Sequence, residues 1–188
     1  MVTRENYLKS ATAIMAPWFD AQGHPLPSVR VSVGIPAGGK GGKLKRIGEC
    51  WSPLASADKT TEVFICPSQS NAVDVLAILV HELVHAAVGL EHGHKGAFKR
   101  VAIALGLEGK MTSTKAGAAL TDRLNAIVTK LGAYPHAALN TALSGRKKQS
   151  TRMIKLTCDD CGWTCRTAQK NVDAGLPICH CGGSINVA

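Results

Sequence analysis

A chain of 188 residues has room for one ordinary domain and a small appendage, but not for two full-sized cores. It contains no apolar run long enough to span a bilayer, which excludes a transmembrane helix, and residues 1–10 mix Arg4, Glu5 and Lys9 where a signal peptide would carry its apolar segment. A cytoplasmic location with no membrane partner is therefore expected, and the formal net charge of +9 favours an anionic partner, nucleic acid first.

In residues 4–20, Tyr7, Leu8, Ala11, Ile14, Met15 and Trp18 recur at intervals of three and four, which predicts an amphipathic helix that Pro17 kinks or stops. Three strand candidates follow: residues 29–33, where Val29, Val31 and Val33 alternate, then 46–51 and 62–66. The glycine-rich stretch Ala37-Gly38-Gly39-Lys40-Gly41-Gly42-Lys43 reads as a flexible hairpin connection between the first two. It is not a phosphate-binding loop, whose spacing would put glycine at Ala37 and Ser or Thr at Leu44.

Ser70 and Asn71 then offer N-caps, Asp74 suits a first helical turn, and the apolar run 73–88 is too long for a strand; Gly89 or Gly93 ends it. Further helices are predicted over residues 95–105, closed by Gly106, and 116–131, closed by Gly132. Residues 134–143 are expected to pack on the main domain, and residues 144–151 have the polar, basic composition of a linker. Cations concentrate at Lys40, Lys43, Lys45 and Arg46, and again at Arg146, Lys147, Lys148, Arg152 and Lys155. Each run reads either as a solvated segment or as a set of phosphate contacts, with Arg146, Lys147 and Lys148 the candidate nucleic-acid contacts.

His81-Glu82-Leu83-Val84-His85 is an HExxH sequence inside the predicted helix 73–88, the context that motif requires. Residues four apart are separated by roughly 40° around a helix, so His81 and His85 can face one ion from successive turns. Glu82 lies roughly 60° beyond His85, close enough to act as a general base without binding the ion. Buried unpaired among Val80, Leu83, Val84, Ala86 and Ala87, these polar groups would cost several kcal/mol, which argues that a metal satisfies them. A catalytic zinc with three protein ligands keeps a fourth position for water. The third ligand must come from chain that turns back after the helix, with Glu91, His92, His94 and Glu108 as candidates. A metzincin spacing fails, because it would need glycine at Val88 and histidine at Glu91.

The chain has seven cysteines. In a reducing compartment, metal ligation is the better reading than disulfides for Cys158-x-x-Cys161 and Cys179-x-Cys181, each pair followed by glycine as in a zinc ribbon. The second pair has one intervening residue instead of two, which leaves His180 and Cys165 as competing ligands. Trp163 and Ile178 are expected to supply the few apolar contacts of this segment, and Arg166 and Lys170 to meet phosphates. Cys50 and Cys66 read as buried small apolar residues.

HELVH, a short turn and then Gly93-His94-Lys95-Gly96-Ala97-Phe98 together resemble the SprT-like (Spartan-type) metalloproteases of bacteria and their phages. Ile47-Gly48-Glu49-Cys50-Trp51 and the strand 62–66 look like the approach to that family's active-site helix. The resemblance covers most of the chain and is strongest over residues 47–105; a C-terminal zinc element is common in such proteins. It implies His94 as the last ligand of the catalytic zinc, with His92 a neighbour, and a substrate class of DNA-associated proteins.

The expected architecture is α+β: a zincin-like domain over residues 1–143 with a short sheet beside the HExxH helix, a basic linker over 144–151 and a zinc ribbon over 152–188. The expected activity is zinc-dependent peptide-bond hydrolysis, with His81, His85 and His94 on a catalytic zinc, Glu82 as base, and Cys158, Cys161, Cys179 and Cys181 on a structural one. Its rivals are a nucleic-acid- or polymerase-binding zinc protein without proteolytic activity, and an HExxH hydrolase of small amides.

Overall fold

A computed structural model describes residues 3–37, 46–140, 143 and 153–188 of a mixed α+β chain. The chain divides into two compact units, Met1–Ser144 and Gly145–Ala188.

The first unit begins with helix α1, Arg4–Asp20, whose Thr3 hydroxyl oxygen accepts from the Asn6 amide at 3.1 Å. One face of α1 buries Tyr7, Leu8, Ala11, Met15 and Phe19. Pro17 lies in the last turn and does not stop it: the helix continues to Asp20, and the Pro17 carbonyl still accepts from the Ala21 amide. Trp18 stays half-buried beneath the guanidinium of Arg123, 3.7 Å from the ring centre.

Strands β1 (Val29–Val33), β2 (Gly48–Trp51) and β3 (Thr61–Ile65) form a sheet in the order β1-β3-β2. The hairpin expected between the first two strands is therefore wrong. β1 runs parallel to β3 with Val31 opposite Val63, and β2 runs antiparallel to β3 with Cys50 opposite the same residue. The physical reason lies in β3, which buries Thr61, Val63 and Ile65 and takes the protected central place, leaving the half-buried β1 and β2 as edges. Lys40, Lys43 and Lys45 lie outside the described residues.

Helix α2, Ala72–Val88, is capped by Asn71, whose side-chain oxygen accepts from the Asp74 amide at 3.1 Å, and ends at Gly89 with φ +94°. It is buried on nearly all sides and packs against α1, β2, β3 and three later elements: α3 (Gly96–Ala104), β5 (Ser113–Ala116) and α4 (Ala118–Leu131). β5 pairs with β4 (Leu107–Lys110) across the two-residue turn Met111-Thr112. This hairpin occupies chain that the sequence reading left unassigned before a helix start at Ala116; the helix begins two residues later, after Gly117. After α4 the chain is tied down as expected. Tyr134 is buried edge-on to Tyr7, and the Pro67 carbonyl accepts from the Leu139 amide and, at 2.7 Å, from Nε2 of His136.

The second unit is a three-stranded antiparallel sheet in the order β7-β6-β8, formed by β6 (Ile154–Cys158), β7 (Thr164–Thr167) and β8 (Ile185–Val187), with a short helix α5 (Gln169–Ala174). Its buried core is Leu156, Cys158, Cys179 and Ile185, with Ile154, Cys165 and Val172 packed against it. Trp163 and Ile178 do not join that core. They are 44% and 80% exposed, because the space between the strands is filled by the two thiols and two aliphatic residues. Among the described residues no helix is long and apolar enough to cross a membrane.

Candidate metal centres

Helix α2 carries His81, Glu82 and His85 in a stretch whose neighbours Leu79, Val80, Leu83 and Val84 are fully buried. One helical turn separates the two histidines, so their rings stand side by side, 5.2 Å between centres. Beyond Gly89 the chain makes a tight turn over Leu90–His92, closed by the Gly93 amide on the Leu90 carbonyl, and Gly93 takes φ +49°. That reversal brings His94 back over α2. Its Nε2 lies 3.3 Å from Nε2 of His81 and 3.2 Å from Nε2 of His85. The three nitrogens thus form a group that could hold a metal ion.

The fit to such an ion can be tested on the donor set itself. Three neutral imidazoles cannot satisfy one another at these distances, since each Nε2 offers either a lone pair or a single proton. Burial pushes His81 down to about 4, with the charge of His94 adding to it, and His85 down to about 3, with His81 and His94 adding; burial also lowers His94. All three are therefore neutral near pH 7, the form that ligates. A tetrahedral ion with bonds of ~2.0–2.1 Å to nitrogen has ligand edges of ~3.3–3.4 Å, close to the spacing found here. Phe98, fully buried on α3, packs against all three rings at 5.0, 4.3 and 5.0 Å from His81, His85 and His94. It gives the cluster an apolar floor.

Glu82 is 6% exposed. Its desolvation, with the nearby Glu49 carboxylate and against the Arg46 guanidinium, pushes its pKa up to about 8. A cation among the three imidazoles would favour its ionised form, and the same burial makes that carboxylate a stronger base. β2 passes so close that a Cβ on Gly48 would sit 2.5 Å from Glu82 Oε1 and 2.7 Å from Ile78 Cγ2. Glu49 beside it is paired with Arg46 and accepts from the Ala37 amide at 2.9 Å. Cys50 is half-buried and lines the site, in contrast to the buried core residue expected, and burial and the Glu82 charge push its thiol up to about 12. Cys66 is fully buried, as expected.

These groups open into a cleft of about 640 Å³. Gly48, Glu49 and Cys50 of β2 line it, as do Thr112, Ser113 and Thr114 at the tip of the β4–β5 hairpin. Thr114, which the sequence reading did not single out, places Oγ1 2.8 Å from Nδ1 of His81. The other candidate ligands lie elsewhere. His92 and Glu91 are exposed and 3.8 Å from each other, and the exposed Glu108 folds over Gly117 at the start of α4.

In the second unit Cys158, Cys161, Cys179 and Cys181 form another group that could hold a metal ion. Sγ of Cys158 is 3.6 Å from that of Cys181, and Cys161 is 3.6 Å from Cys179, near the ~3.8 Å edge of a tetrahedral zinc–thiolate site. The amide of Cys161, followed by that of Asp160, hydrogen-bonds the sulfur of Cys158 and holds its pKa down to about 7. Cys165 sits instead on β7 opposite Leu156, and His180 lies 3.5 Å from the Cys179 sulfur through Nδ1 and edge-on to Trp163, outside the four-thiol group. Arg146, Lys147, Lys148 and Arg152 lie outside the described residues. Comparison with the models of protein families, with curated proteins and with solved structures finds no match to this chain.

Proposed function

We propose that the first unit is a zincin-like metalloprotease domain that hydrolyses peptide bonds, and that the second is a ribbon held by a structural zinc. The observation that carries this reading is the convergence of three neutral imidazoles beside a buried carboxylate at the floor of an open cleft. A purely structural site has no use for either the cleft or the acid. His81, His85 and His94 hold the catalytic ion through Nε2; when bound, zinc supplies the Lewis acidity that polarises a substrate carbonyl and acidifies water.

The rest of the chemistry belongs to the chain. Glu82 takes the proton of the attacking water on its carboxylate and hands it to the leaving amine. Its burial to 6% exposure, beside Ile78 and under Gly48 of β2, limits competition from bulk water for that proton. β2 is an edge strand with Gly48–Cys50 on the cleft, so its backbone can align an extended peptide beside Glu82. The resemblance of HELVH and Gly93-His94 to the SprT-like proteases, with the net charge of +9, supports DNA-associated proteins as the substrate class.

The test is cleavage of a DNA-bound protein, with and without DNA, by the wild type and by Glu82→Gln. The variant is expected to keep its metal content and to lose activity by about 10²–10⁴-fold. Equal cleavage by both proteins removes Glu82 as the base, and no cleavage by either leaves the non-proteolytic zinc protein as the better reading.

A further inference from the structure

We propose that Thr114 is a positioning residue for His81, and that through it the β4–β5 hairpin forms part of the histidine centre. The inference rests on the reading of His81, His85 and His94 as a metal site. A ring nitrogen that ligates through Nε2 carries its proton on Nδ1, so Nδ1–H of His81 donates to Thr114 Oγ1 across 2.8 Å. That bond selects the tautomer and fixes the rotation of the ring about its own axis.

The two imidazoles of α2 are held in different ways, and the difference shows what this support adds at His81. His85 is buried and lies only 32° from the plane of Phe98, 4.3 Å between centres, so packing confines it; its buried Nδ1 has no hydrogen-bond partner among the described residues. His81 is half-buried and stands nearer edge-on to Phe98, at 65° and 5.0 Å. A ring packed on fewer sides turns more freely unless a hydrogen bond stops it.

The position of Thr114 fits the task. Strand alternation exposes Ser113 and Lys115 and turns Thr114 and Ala116 inward, and β5 packs on α2. A hairpin far along the chain thus reaches one ligand of a site otherwise built from residues 81–94.

Cobalt(II) titration of the full-length chain tests the assignment without any substrate. The thiolate-to-cobalt charge-transfer band reports the cysteine centre and serves as an internal control, while cobalt bound beyond that equivalent, counted by metal analysis, reports the histidine centre. Thr114→Val keeps the branched shape and removes the acceptor; it is expected to weaken cobalt at the histidine centre by about 10–100-fold. Thr114→Ser keeps the hydroxyl and is expected to stay within about threefold of the wild type, with the thiolate band unchanged in both. Wild-type affinity in Thr114→Val overturns the proposal, as does an equal loss in Thr114→Ser, which would make Thr114 a packing residue of the hairpin. A wild type that takes cobalt only at its thiolates overturns the histidine site itself, a separate failure.

Discussion

The two centres differ in what stands beneath them. His81, His85 and His94 rest on α2 and on the turn before α3, and their neighbours belong to a continuous apolar core that runs from Tyr7 to Tyr134. Among the described residues of the second unit, Cys158 and Cys179 are half of the buried core, which they share with Leu156 and Ile185. The first centre is a polar insertion into a domain that has other reasons to fold. The second supplies most of the reason itself, as expected where a short segment buries too little apolar surface to stand alone.

That contrast breaks if chelation leaves both units intact. Removing metal from the full-length chain is expected to abolish amide-exchange protection in β6, β7 and β8, because ligation contributes on the order of 10 kcal/mol to such a fold. The amides of α2 should keep their protection under the same conditions. Protected ribbon strands after chelation, checked by metal analysis, would show that Leu156 and Ile185 suffice.

The converse perturbation sits under the histidines. Phe98→Ala removes a fully buried ring that touches all three imidazoles, and is expected to destabilise the first unit by about 3–5 kcal/mol. It should also weaken metal binding at the histidine centre while the cysteine centre keeps its affinity. Denaturant unfolding followed by exchange at α2 and α3 measures the first effect, and cobalt titration the second. An unchanged histidine centre would mean that α2 and the turn before α3 orient the rings without that packing.

The same contrast separates what the sequence discloses from what it hides. The residues that cluster in each unit were legible because coordination would restrict their spacing: His81 and His85 one turn apart, Cys158 and Cys161 across a knuckle. Helix α1 was legible because a helix that buries one face repeats its apolar residues, α2 because its apolar run is too long for a strand, and α4 because Gly132 closes it. Sheet order was not, since nothing in β1 or β2 says which strand each will meet; only the complete burial of alternate residues in β3 decides it. The β4–β5 hairpin was missed because Leu107 is its one fully buried residue and the rest reads as polar loop. The only signal was Thr112-Ser113-Thr114 between Gly109 and Gly117, a β-prone run bounded by glycines. In the ribbon the largest apolar residues were the natural choice for a core. Trp163 and Ile178 are exposed because the thiols already occupy the interior.

The smallest expected effect on stability falls on the wall between sheet and site. Gly48→Ala adds one methyl group where Glu82 Oε1 is 2.5 Å away, Ile78 Cγ2 2.7 Å and Glu82 Cγ 2.9 Å. Ile78 belongs to the core and Cγ of Glu82 is tied to the α2 backbone, so neither can yield far, and the clash should cost about 1–3 kcal/mol. The flexible end of Glu82 is free to move, and displacing that carboxylate by about 1 Å is enough to lower activity by about 10²-fold. The atoms nearest the new methyl belong to Glu82 and Ile78 and not to His81 or His85, so metal affinity should stay at the wild-type value. A Gly48→Ala variant that loses metal and activity together would place the strain on α2 as a whole; full activity would show that β2 retreats and that the contact does not position Glu82.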